Sequence, residues 1–153
     1  MRRGVSFKIP NAYGRYLSEL LRPIEIERYT WLVGGEESYI VGDDGLERLL
    51  FPQQTVLDGE TFSQSVYDGE QYLIFVNVKA FSTRPVADVE TYEAYMDSDC
   101  EIALLIIDST FVDLYCKDEH LLESLYQHAL SCGYEDVAYL TDTNDTRTRL
   151  TIW

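Results

Sequence analysis

The sequence predicts an α+β fold: a single domain with a mainly antiparallel sheet and about three helices packed on it. Segments with strand character outnumber helical ones, and turn signals rather than helices separate most consecutive strands. The chain has 153 residues with no linker or composition break, which is the length of one domain. At 46% hydrophobic and 13% aromatic residues it can bury a core despite its charge.

The first third of the chain predicts a strand, a helix and a hairpin. Residues 4–9 alternate apolar and polar side chains, as a half-buried strand does. Asn11 is the expected N-cap of a helix with one apolar stripe, which ends before Pro23. Residues 29–33 and 38–41 are predicted to pair as a hairpin across the glycine- and glutamate-rich residues between them.

Turns containing Asp-Gly mark the middle of the chain. The segments 43–45, 58–60 and 68–70 each supply a glycine for the positive φ that tight turns require, so each is predicted to be a turn. Residues 72–81 are one run of β-favouring residues and predict one strand. A second helix is expected to follow, with Asp88 as its N-cap.

The last third predicts a central strand and the best-defined helix. Residues 101–107 predict a strand that is apolar on both faces from Ile102 onward, which is typical of a strand covered on both sides, and residues 110–116 follow as its neighbour. A helix is expected between Asp118 as N-cap and a terminating glycine at 133. Residues 134–141 and 147–153 are then predicted to form a terminal hairpin.

The charge balance limits the classes of partner. With 12 Lys+Arg against 27 Asp+Glu, the net charge is −15 and the pI is near 4.3. Nucleic-acid binding needs a basic surface to displace phosphate counterions, and an anionic membrane repels an acidic protein, so neither partner is expected. The start lacks the apolar stretch of a signal peptide, and three cysteines without a CxxC motif suggest free thiols. A cytoplasmic location is expected.

Several short segments carry a resemblance to a known family. They are residues 3–11, 29–31, 91–92, 98–101 and 115–118, and residues 147–148 together with Trp153. The chain resembles a family of small uncharacterised proteins from spore-forming Gram-positive bacteria, catalogued as a domain of unknown function. The resemblance spans nearly the whole chain and implies no activity, catalytic residue or cofactor.

The cysteines and histidines do not predict a zinc site. Cys116-x3-His120 and His128-x3-Cys132 resemble two ligand pairs, but the histidines lie about 12 Å apart on one helix at about 1.5 Å per residue. Four ligands must lie about 2.0–2.3 Å from one Zn²⁺, so these four cannot converge. A Cys116–His120 nucleophile remains as an alternative to a buried thiol. No phosphate-binding glycine loop occurs, and no cofactor is predicted.

A carboxylate cluster supports one enzymatic alternative. Asp97-x-Asp99-x-Glu101 has the alternation that can hold Mg²⁺ or Ca²⁺ through oxygen atoms. The alternative function is therefore a small metal-assisted enzyme that uses these residues or Asp108 as ligands, with His120 as general base. The plainer interpretation is that the carboxylates end the second helix and begin the next strand.

The distribution of charge and aromatic residues favours a binding protein over an enzyme. Residues 88–153 hold three basic and fifteen acidic side chains, for a net charge of −12, and the chain contains 12 tyrosines and 2 tryptophans. We predict a non-enzymatic module whose acidic, tyrosine-rich surface docks a basic protein, as an immunity or inhibitor protein does. A self-associating subunit, a homodimer through the aromatic hairpin, is a further alternative; simple solubility and an aromatic core would explain the same features. The candidate binding residues are Trp31, Tyr39, Asp97, Asp99, Glu101, Asp113, Asp142 and Asp145.

Overall fold

A computed structural model describes residues 1–35 and 37–152, in which ten strands and four α-helices form an α+β fold. The predicted fold class is therefore confirmed. The strands are β1 (Arg2–Lys8), β2 (Thr30–Val33), β3 (Ser38–Gly42), β4 (Gly45–Leu49), β5 (Thr55–Leu57), β6 (Gln71–Leu73), β7 (Val76–Phe81), β8 (Cys100–Ile107), β9 (Phe111–Cys116) and β10 (Glu135–Thr141). The helices are α1 (Tyr16–Leu20), α2 (Gly59–Val66), α3 (Tyr92–Met96) and α4 (Glu119–Ser131), with a 3₁₀ turn at Ile26–Arg28. None of the described helices is long and apolar enough to cross a membrane.

Seven strands form one antiparallel sheet in the order β10-β1-β9-β8-β7-β2-β5. β8 lies at its centre, as its apolar sequence predicts. Val78, Leu104, Leu114 and Val5 lie opposite one another across four neighbouring strands, and each is completely buried. This row belongs to the main core on the first face of the sheet, which α1, α2, α4 and the smaller sheet cover.

The second face of the large sheet has a different cover. It consists of residues 82–91, which we call the strap, of α3, and of the C-terminal segment 142–152. The C-terminal segment is joined to α3 and to the strap by one backbone hydrogen bond each: Tyr92 N donates to Thr148 O and Leu150 N donates to Glu90 O, both over 2.9 Å. Leu150 is completely buried beneath them and belongs to a second apolar cluster.

The strand pairing predicted for residues 29–41 is wrong. β2 pairs with β5 and β7 in the large sheet, whereas β3 pairs with β4 and β6 in a separate three-stranded sheet. The single strand predicted for residues 72–81 is likewise divided between the two sheets. Ser38 Oγ donates to Phe75 O over 2.7 Å at the point where the chain bends between β6 and β7. The β-favouring residues are present as predicted, but strand pairing depends on residues distant in the chain.

The structures predicted at Asn11 and at Asp58 are also wrong. Asn11 caps no helix; α1 begins at Tyr16, and the Asn11 side chain accepts a hydrogen bond of 2.6 Å from Tyr72 Oη. Asp58 is the N-cap of α2 rather than part of a turn, since Asp58 Oδ1 accepts from Thr61 N over 2.7 Å. Gly59 is required there for space, because an added Cβ would lie 2.5 Å from Glu27 Cα.

The predictions for residues 88–153 are confirmed in the middle of this range but not at its two ends. β8, β9 and α4 are confirmed, and Asp118 Oδ1 accepts from Leu121 N over 3.0 Å as the predicted N-cap. Thr91 rather than Asp88 caps α3. β10 pairs with β1 instead of with the chain end, and residues 147–152 contain no strand; Trp153 lies outside the described residues.

Candidate functional site

The structure brings most of the predicted carboxylates to one end of the large sheet. β1 begins, and β7, β9 and β10 end, near the residue at which β8 begins. The carboxylates at this end are Asp97, Asp99, Glu101, Asp142 and Asp145. Asp113 lies within β9, opposite Leu105 of β8.

Three of these carboxylates are already paired with arginines. Arg3 Nε donates to Asp142 Oδ1 over 2.8 Å, and Arg3 Nη1 lies 3.5 Å from Asp145 Oδ2. Arg147 Nη2 donates to Asp113 Oδ2 over 3.0 Å, and its backbone N–H donates to Asp145 Oδ1 over 3.1 Å. We call these five residues the arginine network. It ties the C-terminal segment to β1 and β9.

Burial and pairing give most of the arginine network a structural role. The Asp145 side chain is 7% exposed, and completely buried Tyr115 donates its hydroxyl to Asp145 Oδ2 over 2.9 Å. Desolvation raises the pKa of Asp113, although Arg147 opposes the shift. The hydrogen bond from Arg3 lowers the pKa of Asp142. Asp113 and Asp145 are therefore held by pairing inside the fold, whereas the Asp142 side chain is 52% exposed. That these three carboxylates take part in docking stays a prediction.

The other predicted carboxylates do not assemble a metal site in the part of the chain that the structure describes. Asp99 Oδ2 accepts from Thr83 Oγ1 over 2.6 Å, and Glu101 Oε1 lies 3.4 Å from Ser82 Oγ. Asp108 follows the far end of β8, about 23 Å from Glu101 at about 3.3 Å per residue, so the two cannot share an ion. Among the described residues no three His, Cys, Asp or Glu side chains are placed to hold one.

The alternative cysteine nucleophile is also disfavoured. Cys116 is buried, and its Sγ lies 3.5 Å from the carbonyl oxygen of Asp118, while His120 is exposed. Burial raises the pKa of the Cys116 thiol to about 12, so the thiolate is scarce at neutral pH. Cys132 Sγ does lie 3.4 Å from His128 Nε2, but burial raises the pKa of that thiol too.

Trp31 belongs to the core. It is completely buried, its ring stacks on Phe62 with 4.2 Å between centroids, and Nε1 donates to Ile26 O over 2.9 Å. The prediction that Trp31 contributes to an accessible recognition surface is wrong, because β2 is an inner strand of the large sheet with the main core on its first face.

Tyr39 lies in a different environment, on the outward side of the three-stranded sheet. The strand register places it between Leu49 and Tyr72, and places Val41 opposite Leu46. The ring of Tyr13 packs edge-on against Tyr72 with centroids 5.5 Å apart, and Tyr13 and Leu46 are 48% and 45% exposed. We call this surface the tyrosine face: Tyr13, Tyr39, Val41, Leu46, Leu49 and Tyr72.

Carboxylates border the tyrosine face. Asp43 and Asp44 form the turn between β3 and β4, and Glu70 precedes β6, with its carbonyl oxygen 3.0 Å from Val41 N. All three side chains are on exposed residues, and none is in an ion pair with another described residue. The nearby Arg48 pairs with Glu47 over 2.8 Å. The border is therefore net acidic.

The sequence does not predict most of the tyrosine face, and it does not predict that Arg3 and Arg147 pair with the carboxylates. The sequence predicts Tyr13 on a helix, and it predicts Tyr72 on one strand with residues 76–81. The period-two spacing of Tyr39 and Val41 was a usable signal for a shared face. No local signal indicates that Arg3 reaches Asp142, since the two are 139 residues apart.

Comparison with known proteins agrees with the resemblance. A family described as Protein of unknown function (DUF2691) matches residues 2–151. The chain belongs to this family. It is 44% identical over 153 residues to the uncharacterized protein YncE of Bacillus subtilis (strain 168), covering 99% of this chain and 100% of that protein. No solved structure matches the chain. The expected kinship with small proteins of spore-forming Gram-positive bacteria is confirmed.

Three segments that carry the family resemblance meet at one place in this DUF2691 protein. Arg3 lies over the ring of Tyr92 at 4.2 Å from its centroid, and both line a cleft of about 510 Å³ together with Arg147 and Thr148. The cleft lies on the second face of the large sheet, between α3 and the C-terminal segment. The family description assigns no activity to it.

Proposed function

We propose that the protein is a non-enzymatic binding module whose tyrosine face docks a basic protein, in the manner of an immunity or inhibitor protein. The observation that carries the proposal is the outward side of the three-stranded sheet, where aromatic and aliphatic side chains adjoin the carboxylates of Asp43, Asp44 and Glu70. An apolar surface with a polar rim is typical of protein interaction sites.

The side chains of the tyrosine face suit a protein partner. Tyr13, Tyr39 and Tyr72 each combine a large apolar ring with a hydroxyl group, and such residues are enriched at protein interfaces. The Tyr72 hydroxyl is fixed by its hydrogen bond to Asn11, which limits the conformational freedom lost on binding. The face is supported from behind, because β6 is anchored to α2 by hydrogen bonds from the Gln71 side chain to Ser65 O and Val66 O.

The charge favours a basic partner over a second copy of this chain. Two copies of a protein with net charge −15 repel each other, whereas a basic protein is attracted to the carboxylate border. The attraction acts between exposed charges, so we expect association to weaken as salt shortens the Debye length to about 8 Å at physiological ionic strength.

The first test is affinity purification from a lysate of the source organism at low salt. The face variant carries Asp43→Asn and Glu70→Gln; the control carries Asp108→Asn and Glu123→Gln, which removes the same charges elsewhere. We expect one basic protein to bind the wild type and the control, and to bind the face variant about tenfold more weakly, equivalent to about 1.4 kcal/mol. Absence of a basic partner, or equal binding to all three, would overturn the proposal.

A second variant tests the apolar part of the face. Leu46→Lys places a cation on an exposed side chain, so the fold should not change, but binding of a basic partner should be lost. The molar mass of the purified protein, measured by light scattering, addresses self-association. A dimer that Leu46→Lys converts to a monomer would assign the face to a second copy and contradict the basic-partner proposal.

A further inference from the structure

We propose that the cleft between α3 and the C-terminal segment binds a small zwitterion carrying an α-amino-acid group. Arg3 and Arg147 would hold its carboxylate, and Glu93 and Asp97 would hold its ammonium group. The proposal does not rest on the proposed function, because the cleft and the tyrosine face share no residue and lie on different sheets.

The cleft has the size for such a ligand. Its volume is about 510 Å³, within the range of about 300–1,000 Å³ that is usual for small-molecule sites. Arg3, Arg147 and Thr148 line it from the side of β1 and the C-terminal segment, and α3 lines it from the other side. A free amino acid or a dipeptide fits within that volume, whereas a folded partner does not.

The basic side of the cleft is prearranged. The side chains of Arg3 and Arg147 are only 18% and 24% exposed, and the carboxylates of the arginine network hold both guanidinium groups in place. A guanidinium has five N–H donors. Arg3 uses two of them, on Asp142 and Asp145, which leaves three for a ligand. A planar guanidinium is the side chain best matched to a carboxylate.

Together with the N-terminal ammonium group of Met1, the arginine network is electrically balanced, so it does not repel an anion. Asp142 also binds the N-terminal ammonium group of Met1, 3.4 Å away. Three positive groups therefore face the three carboxylates of Asp113, Asp142 and Asp145. In a protein of net charge −15, such a neutral cluster with spare N–H donors is a place where an anionic group can approach.

The acidic side of the cleft has no counter-ion. Glu93 and Asp97 are exposed and four residues apart, so their side chains share one face of the α3 turn. Neither carboxylate has an ion pair or hydrogen bond with any other described residue, including the two arginines that line the same cleft. Two unpaired carboxylates and two guanidinium groups therefore line one cleft, which offers a partner to each charged group of a zwitterion.

Two side chains with apolar parts also line the cleft. Tyr92 is held beneath Arg3 by a cation–π contact, and Met96, 39% exposed, lies one turn further along α3. These side chains would contact the ligand's own side chain, so we expect a preference for apolar amino acids over charged ones.

The test uses the full chain, labelled with ¹⁵N, and the twenty protein L-amino acids as probes in NMR titrations. We expect at least one apolar amino acid to shift the backbone amides of α3 and of residues 147–148 at up to about 10 mM, which detects dissociation constants in the millimolar range. The best probe is then compared with its amide, which lacks the carboxylate, and with its deaminated acid. Both analogues should bind at least about tenfold more weakly, since each loses one charge-assisted contact.

Charge variants give a result that a structural role would not produce. Glu93→Gln with Asp97→Asn should weaken binding of the amino acid about tenfold, yet should strengthen binding of the deaminated acid by removing repulsion. The matched control, Glu123→Gln with Asp108→Asn, should change neither. Both variants alter exposed side chains, so the fold should persist. No shifts at the cleft with any amino acid, or equal binding of the amino acid and both analogues, would overturn the proposal.

Discussion

The ion pair between Lys79 and Asp88 offers the sharpest prediction about stability. Lys79 lies on β7 between Leu32 and Ala103, its side chain is 1% exposed, and its Nζ donates to Asp88 Oδ1 over 2.8 Å. Asp88 belongs to the strap and is 26% exposed. The pair therefore connects the strap to the interior of the second face.

Removing only the carboxylate should be costly. In Asp88→Ala, the buried ammonium of Lys79 keeps no other hydrogen-bond partner among the described residues. Breaking a buried pair in this way costs about 3–5 kcal/mol, and the partial exposure of Asp88 places our expectation near the lower end, at about 3 kcal/mol. Removing the buried ammonium should cost less. Lys79→Met fills the same space without an ion, and the Asp88 side chain, 26% exposed, can be hydrated, so the free energy of unfolding should stay within about 1 kcal/mol of the wild-type value.

Urea unfolding measures the difference. With a slope of about 2 kcal/mol per molar urea, Asp88→Ala should lower the midpoint by about 1.5 M, whereas Lys79→Met should leave it nearly unchanged. Glu90→Ala, an exposed neighbour in the strap, is the control for local effects of truncation. The reasoning is refuted if Asp88→Ala behaves like Glu90→Ala, or if Lys79→Met destabilises the protein as much as Asp88→Ala does.

Three further predictions test the core, a helix cap and the thiols. Trp31→Ala should cost about 3–5 kcal/mol in urea unfolding, because it empties a completely buried site; a cost below about 1 kcal/mol would contradict this. The N-cap hydrogen bond lowers the pKa of Asp58, so the ionised carboxylate stabilises the fold above the ordinary carboxyl pKa, and this stabilisation is lost as the pH falls through the lower pKa of the folded state. The decrease in melting temperature that Asp58→Ala causes should therefore be smaller in acid than at neutral pH. A decrease that does not depend on pH would contradict this. Burial raises the pKa of Cys100 and Cys116 to about 12, whereas Cys132 is only partly buried. A thiol reagent at pH 8 should therefore modify only Cys132 in the native protein, and Cys132→Ser should abolish that reaction.

The sequence determined those features that depend on neighbours within a few residues. The apolar residues 102–107 indicate a strand covered on both sides, and the structure places β8 at the centre of the large sheet. The Asp118 cap and Gly133 bound α4 because capping and a positive φ are local requirements, and Gly133 has a φ of +77°. The strand-rich α+β class follows from the same local patterns.

The tertiary structure alone decided which strands pair and which charges are free. β2 and β3 have strand sequences, but only their distant partners place them in different sheets. The sequence shows many acidic residues in the C-terminal third, but only the folded chain shows that Arg3, at the other end of the chain, pairs with Asp142. Hydrogen bonds and ion pairs between residues more than a hundred positions apart leave no periodic signal in the sequence. For that reason the tyrosine face and the cleft beside α3 emerge only once the chain has folded.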